Sequence, residues 1–130
     1  MKIGFTGTRE GMSQQQKEEF VLKLFELQPT EFHHGDCEGA DAEAHDIVRE
    51  FFPNAKIHVH PPIYTNRQAC KDGDVHYDPD HYIPRDQKIV EMTEYLIGAP
   101  IRDEEERRSG TWTTIRYARK LCRDNFILTR

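Results

Sequence analysis

Two short loops in this chain combine small residues, hydroxyls and a cation in the way an anion site requires. Thr6-Gly7-Thr8-Arg9 offers backbone N–H groups that a ligand can approach closely, and a guanidinium able to grip a phosphate with two parallel hydrogen bonds. Ser109-Gly110-Thr111 stands directly before a helical pattern, where unsatisfied N–H groups and the helix dipole favour negative charge. A third segment, His33-His34-Gly35-Asp36-Cys37-Glu38-Gly39-Ala40-Asp41, sets carboxylates beside glycines, an arrangement suited to accepting ribose hydroxyls. Asp36 is also a candidate N-cap of the following helix, and Asp41 would favour that helix's dipole without any ligand. Arg85, opening a later helical stretch, is a second cation for a phosphate. Neither loop is a dinucleotide fingerprint, and no Gly-Lys-Ser/Thr follows to make a P-loop.

The elements that must position these loops alternate. Ile3 to Phe5 reads as a buried strand, and a helix starts at Ser13, where Gln16 three residues on completes a capping box. Phe20, Val21, Leu24 and Leu27 recur at helical spacing and give it one apolar face. Phe32 and its neighbours form a second strand, followed by a helix with the stripe Ala40, Ala44, Ile47, Val48 and Phe51. Ile57 and Val59 alternate with His58 and His60 in a third strand, which Pro61-Pro62 stops.

Residues 63–84 show no periodicity and are expected to form a long ordered loop, a length usually associated with function. A helix resumes near Arg85, a fourth strand covers Tyr95 to Ile97, and Ala99-Pro100 ends it. The polar run Asp103 to Arg108 is expected to be a solvated loop face. Trp112, Ile115, Ala118 and Cys122 mark the apolar face of the last helix, with Trp112 either in the core or walling the pocket, and Phe126-Ile127-Leu128 is the last strand. The alternation predicts a single Rossmann-like α/β domain over residues 1–130, with a mostly parallel five-stranded sheet in the order 3-2-1-4-5 and helices on both faces. Ligands of such sheets bind beyond the carboxyl ends of the strands where the order reverses. That rule sets Thr6 to Arg9 opposite the stretch from Pro100 to Thr111.

At 130 residues the chain can bury a core without disulfides or metals. Its apolar runs are far shorter than the roughly 20 residues of a membrane span, and its first residues carry no secretory signal, so a cytoplasmic protein is expected. Three widely spaced cysteines fit reduced thiols. A net charge of -5 opposes broad, charge-driven binding of nucleic acid, which is not expected as a partner. His33, His34, Cys37, His45, His58, His60, His76 and His81 are a sizeable pool of metal ligands, but no Cys-x-x-Cys or His-Glu-x-x-His accompanies them. No metal and no cofactor is therefore expected.

Taken together, Gly4-Phe5-Thr6-Gly7-Thr8-Arg9, His34-Gly35-Asp36-x-x-Gly39-Ala40-Asp41 and Arg108-Ser109-Gly110-Thr111 resemble the SLOG superfamily over nearly the whole chain. That superfamily holds Rossmann-like proteins that bind nucleotides or their derivatives, including LONELY GUY phosphoribohydrolases and DNA-processing protein A. The resemblance is closest to its small uncharacterised bacterial and phage members. It implies a ligand set of Thr6, Gly7, Thr8, Arg9, His34, Gly35, Asp36, Gly39, Asp41, Arg85, Pro100, Ser109, Gly110 and Thr111.

The superfamily's enzymes cleave N-glycosidic bonds with the glutamate of a Gly-Gly-x-Gly-Thr-x-x-Glu motif, and the matching position here is Thr114. The expectation is consequently a sensor or sequestering protein for a phosphate-containing small molecule, such as a nucleotide sugar, an ADP-ribose-like compound or a cyclic nucleotide. Two alternatives remain. One is a nucleoside monophosphate N-glycosidase or deoxyribosyltransferase-like enzyme using Asp41, Asp36 or Glu10 as its carboxylate. The other is an adaptor for protein or single-stranded DNA. A homo-oligomer is expected, in which a neighbouring subunit could supply the carboxylate that Thr114 lacks.

Overall fold

The computed structural model describes residues 1–130. Strand β1 (Lys2–Gly7) leads into helix α1 (Gln14–Leu27), which Ser13 caps. The Gln16 N–H donates to Ser13 Oγ at 3.1 Å and the Ser13 N–H to Gln16 Oε1 at 3.0 Å, closing the capping box that the spacing predicts. Next come β2 (Glu31–His34), α2 (Ala40–Phe51), β3 (Lys56–Val59) and a two-residue strand β4 (Val75–His76). The chain finishes with α3 (Tyr82–Glu91), β5 (Tyr95–Ala99), α4 (Gly110–Lys120) and β6 (Asp124–Ile127).

All strand pairs are parallel, in the order β4-β3-β2-β1-β5-β6. This is the Rossmann-like sheet expected from the alternation, with one strand added at its edge. The sixth strand comes from within the predicted loop. Asp74 draws it onto β3: its N–H donates to the Ile57 carbonyl, and its carboxylate accepts from the Ile57 N–H at 2.8 Å and from Arg49 at 2.9 Å. Two residues are too few to show an alternating pattern. The same stretch also yields the first turn of α3, three residues before Arg85. Pro84 is tolerated there because the first N–H groups of a helix have no intrahelical acceptor.

The larger core lies on the face covered by α1 and α2. Phe5, Phe20 and Phe32 are fully buried, with ring centroids 5.3 to 5.9 Å apart, among Ile3, Leu24, Ile57 and Val59. A smaller cluster of Val90, Leu96, Trp112, Ile115 and Ala118 fills the space under α3 and α4. Trp112 is thus a core residue and not a pocket wall, while Cys122 lies beyond α4 and is exposed. Part of the acidic run also has a structural job: Glu105 pairs with Arg116 at 2.9 Å, and Arg116 further holds the Glu106 and Arg107 carbonyls. No helix is long and apolar enough to cross a membrane.

Candidate functional site

The chain leaves β1 and β5 in opposite directions, which opens a crevice beyond their carboxyl ends. A cleft of about 440 Å³ occupies it, lined by both glycine loops, the start of α2 and the start of α3.

The early loop is built by backbone bonds. The Thr8 N–H donates to the Ala99 carbonyl at 3.0 Å, and the Thr8 carbonyl accepts from the N–H groups of Gly11 and Ala40. Gly7 packs so tightly on α2 that an added Cβ would lie 2.5 Å from that of Ala40. Gly39 has φ +88° and abuts the Arg9 backbone, where a side chain would collide with the Arg9 carbonyl. These glycines set the loop against α2. Arg9 is left exposed beside the cleft and makes no ion pair; its guanidinium lies 5.8 Å from the Tyr82 ring centre.

The late loop ends in a helix start. Ser109 Oγ accepts from the Trp112 N–H at 3.2 Å and the Ser109 carbonyl accepts from the Thr113 N–H at 2.9 Å. The N–H groups of Gly110 and Thr111 have no acceptor within the protein, and both residues line the cleft. Nothing lies within 4 Å of the place a Gly110 side chain would occupy.

Other expected ligand residues sit elsewhere. His34 is buried on the far face of β2, where its Nδ1 accepts from the Asp36 N–H at 3.0 Å and its Nε2 therefore donates to His45 Nδ1 at 2.9 Å. Burial holds its pKa well below the usual histidine value. Asp36 neither caps α2 nor reaches the cleft. Its carboxylate accepts from the Lys71 N–H at 2.9 Å and from Gln68 Nε2 at 3.1 Å, and the helix begins at Gly39 with no side-chain cap. The Pro100 carbonyl is taken by Gln16 Nε2 at 2.9 Å, and neither Pro100 nor Gly39 lines the cleft.

Arg85 lines the cleft but is spent largely on the protein. Its Nη1 donates to the carbonyls of Gly35 and His60, and its Nε stands 2.6 Å from Asp86 Oδ1 as an ion pair without hydrogen-bond alignment.

Three carboxylates reach the cleft: Glu10, Asp41 and Asp86. Asp41 is buried; Oδ2 accepts from the Cys37 N–H at 3.2 Å and Oδ1 has no partner. Burial pushes its pKa up to about 7, against the pull of the Arg85 charge. Asp86 was not expected. It pairs with Arg85, and burial raises its pKa although Arg85 and Thr114 oppose the rise. Its position directly after Arg85 on a helix opening was the available signal. Tyr82 was also missed; its half-buried ring stacks on Tyr64 at 5.2 Å at the cleft edge.

One end of the cleft thus offers unpaired N–H groups, and its lining further offers an uncommitted guanidinium, an aromatic face and, at Asp41, a carboxyl able to accept or give a proton near neutrality. The chain matches no family model, no curated protein and no solved structure.

Proposed function

We propose that the cleft binds a nucleotide or a nucleotide-derived ligand and that the protein acts as its sensor or sequesters it. The observation carrying this reading is the pair of unsatisfied N–H groups at Gly110 and Thr111, at a helix start, in a cleft shared with the uncommitted Arg9. A phosphate satisfies such donors, and a guanidinium adds a charge-assisted bond. Tyr82 suits a base or another flat group, and the free Oδ1 of Asp41 suits a sugar hydroxyl. The resemblance to the SLOG superfamily supports the same reading, and membership of it is part of the proposal. Titration calorimetry with AMP, ADP-ribose, a cyclic nucleotide and inorganic phosphate tests it. Binding of a nucleotide more tightly than phosphate is expected, and no heat from any of the four would overturn it.

Asp41 and Asp86 favour a second reading, cleavage of the N-glycosidic bond of a nucleoside monophosphate. Asp86 lies beside Thr114, which on the proposed membership matches the glutamate of the superfamily's enzymes, and this nearness supports the reading. Such a group can stabilise or trap an oxocarbenium-like centre, and a carboxyl titrating near neutrality can protonate the leaving base. Release of free base from a panel of nucleoside monophosphates, lost in Asp86→Asn, is the result this reading requires.

A further inference from the structure

Glu31 and His33 on β2, His58 on β3 and His60 directly after β3 lie on the same sheet face, opposite the phenylalanine core, and none of them lines the cleft. His33 and His58 are register partners whose rings stack at 4.1 Å. Glu31 Oε1 lies 3.0 Å from His33 Nε2 and 3.4 Å from His58 Nε2, and the three donor atoms all lie within 4.8 Å of one another. His58 Nε2 is buried and has no hydrogen-bond partner, and His58 as a whole is only 9% exposed. His58 Nε2 therefore faces a carboxylate oxygen at close range with no hydrogen bond joining the two.

We infer that Glu31, His33 and His58 bind one divalent transition-metal ion of the zinc class, with water completing its shell. An ion bonded at about 2.0–2.1 Å in a tetrahedron sets its donors roughly 3.3 Å apart, close to the two separations from Glu31, and the His33 and His58 rings tilt out of their stack on binding so that the ion lies in the plane of both. Imidazole and carboxylate donors suit zinc and its neighbours better than magnesium or calcium. The other nitrogen of each histidine is already held, as metal-bound histidines require. His58 Nδ1 lies 2.9 Å from the Tyr77 hydroxyl, and His33 Nδ1 lies 2.9 Å from His60 Nε2.

Proton bookkeeping closes within this chain of rings. Binding at His33 Nε2 puts that ring's single proton on Nδ1, which donates to His60 Nε2. The His60 proton then sits on its own Nδ1, which has no other partner, and each ring keeps one proton. Glu31 is partly exposed, giving the ion a way in, and Lys2, whose charge acts on Glu31 and His33, is exposed and free to turn away. The site is independent of any ligand in the cleft.

Titrating the chelator-stripped full chain with Zn²⁺ and with Co²⁺, by calorimetry and visible absorption, tests this. One equivalent should bind at micromolar concentration or below, with a cobalt spectrum of low coordination number and no thiolate charge-transfer band. Glu31→Gln keeps an acceptor for His33 and should fold; it should weaken binding by more than ten-fold. Tyr77→Phe, which removes only an outer partner, should weaken it about ten-fold. A wild-type chain that binds neither ion, a thiolate band, or unchanged binding by folded Glu31→Gln would each overturn the inference.

Discussion

The Thr114 hydroxyl lies 3.1 Å from Asp86 Oδ2 and 2.9 Å from the Gly110 carbonyl. A hydroxyl has one proton, so Thr114 donates it to the Asp86 carboxylate and the Gly110 carbonyl as a shared, three-centre hydrogen bond. The pair links α3 to α4 directly beneath the late glycine loop. Thr114→Val should leave the half-buried carboxyl without this partner and lower stability by about 1–3 kcal/mol, measured by urea unfolding. A change below about 0.5 kcal/mol would show that the contact is idle.

Gly110→Asp separates binding from folding. The new side chain has open space around it, and a negative charge in the first turn favours the helix by about 0.3–1 kcal/mol. The same charge occupies the place proposed for a phosphate. Thermal unfolding should be unchanged or slightly raised while nucleotide binding falls at least about ten-fold by calorimetry, the effect of losing a charge-assisted bond.

Arg9→Ala should weaken binding of a phosphorylated ligand by about ten- to a hundred-fold, since hydrogen bonds to charged groups contribute about 1.5–3 kcal/mol. Arg9 is exposed and outside every ion pair, so the folded state loses only its contact near Tyr82, about 0.5 kcal/mol. Calorimetry with AMP, beside a melting curve, checks both halves.

Asp41 gives a pH signature. With its native pKa near 7, the folded protein keeps a proton that the unfolded chain releases near pH 4. Stability attributable to this group falls as pH rises from about 4 to about 7 and then levels, a loss of about 4 kcal/mol for a shift of roughly three units. Asp41→Asn keeps an acceptor for the Cys37 N–H and carries no charge. Its unfolding free energy should lack this slope, making it the more stable protein at pH 8 and little different at pH 4.

The sheet order, the capping box at Ser13 and Gln16 and the position of both glycine loops at the strand ends were legible in the sequence. Each rests on a local signal: the spacing of apolar residues along one element, or a cap within one turn. Where the side chains of the site point was not legible. Arg85 is drawn inward by two carbonyls, from Gly35 and His60, that lie 50 and 25 residues away, and Asp36 is claimed by Gln68 and Lys71 of a segment without periodicity. Spacing along the chain carries no record of such partners.

By itself the sequence determined the strand–helix alternation, and with it where a cleft would open, because backbone periodicity and crossover handedness act element by element. Only the tertiary structure decided which groups face that cleft, that Asp86 bonds to Thr114 across two helices, and that Glu31, His33 and His58 converge on another face. Those outcomes depend on register between strands and packing between helices, where residues far apart in the chain compete for the same buried hydrogen bonds.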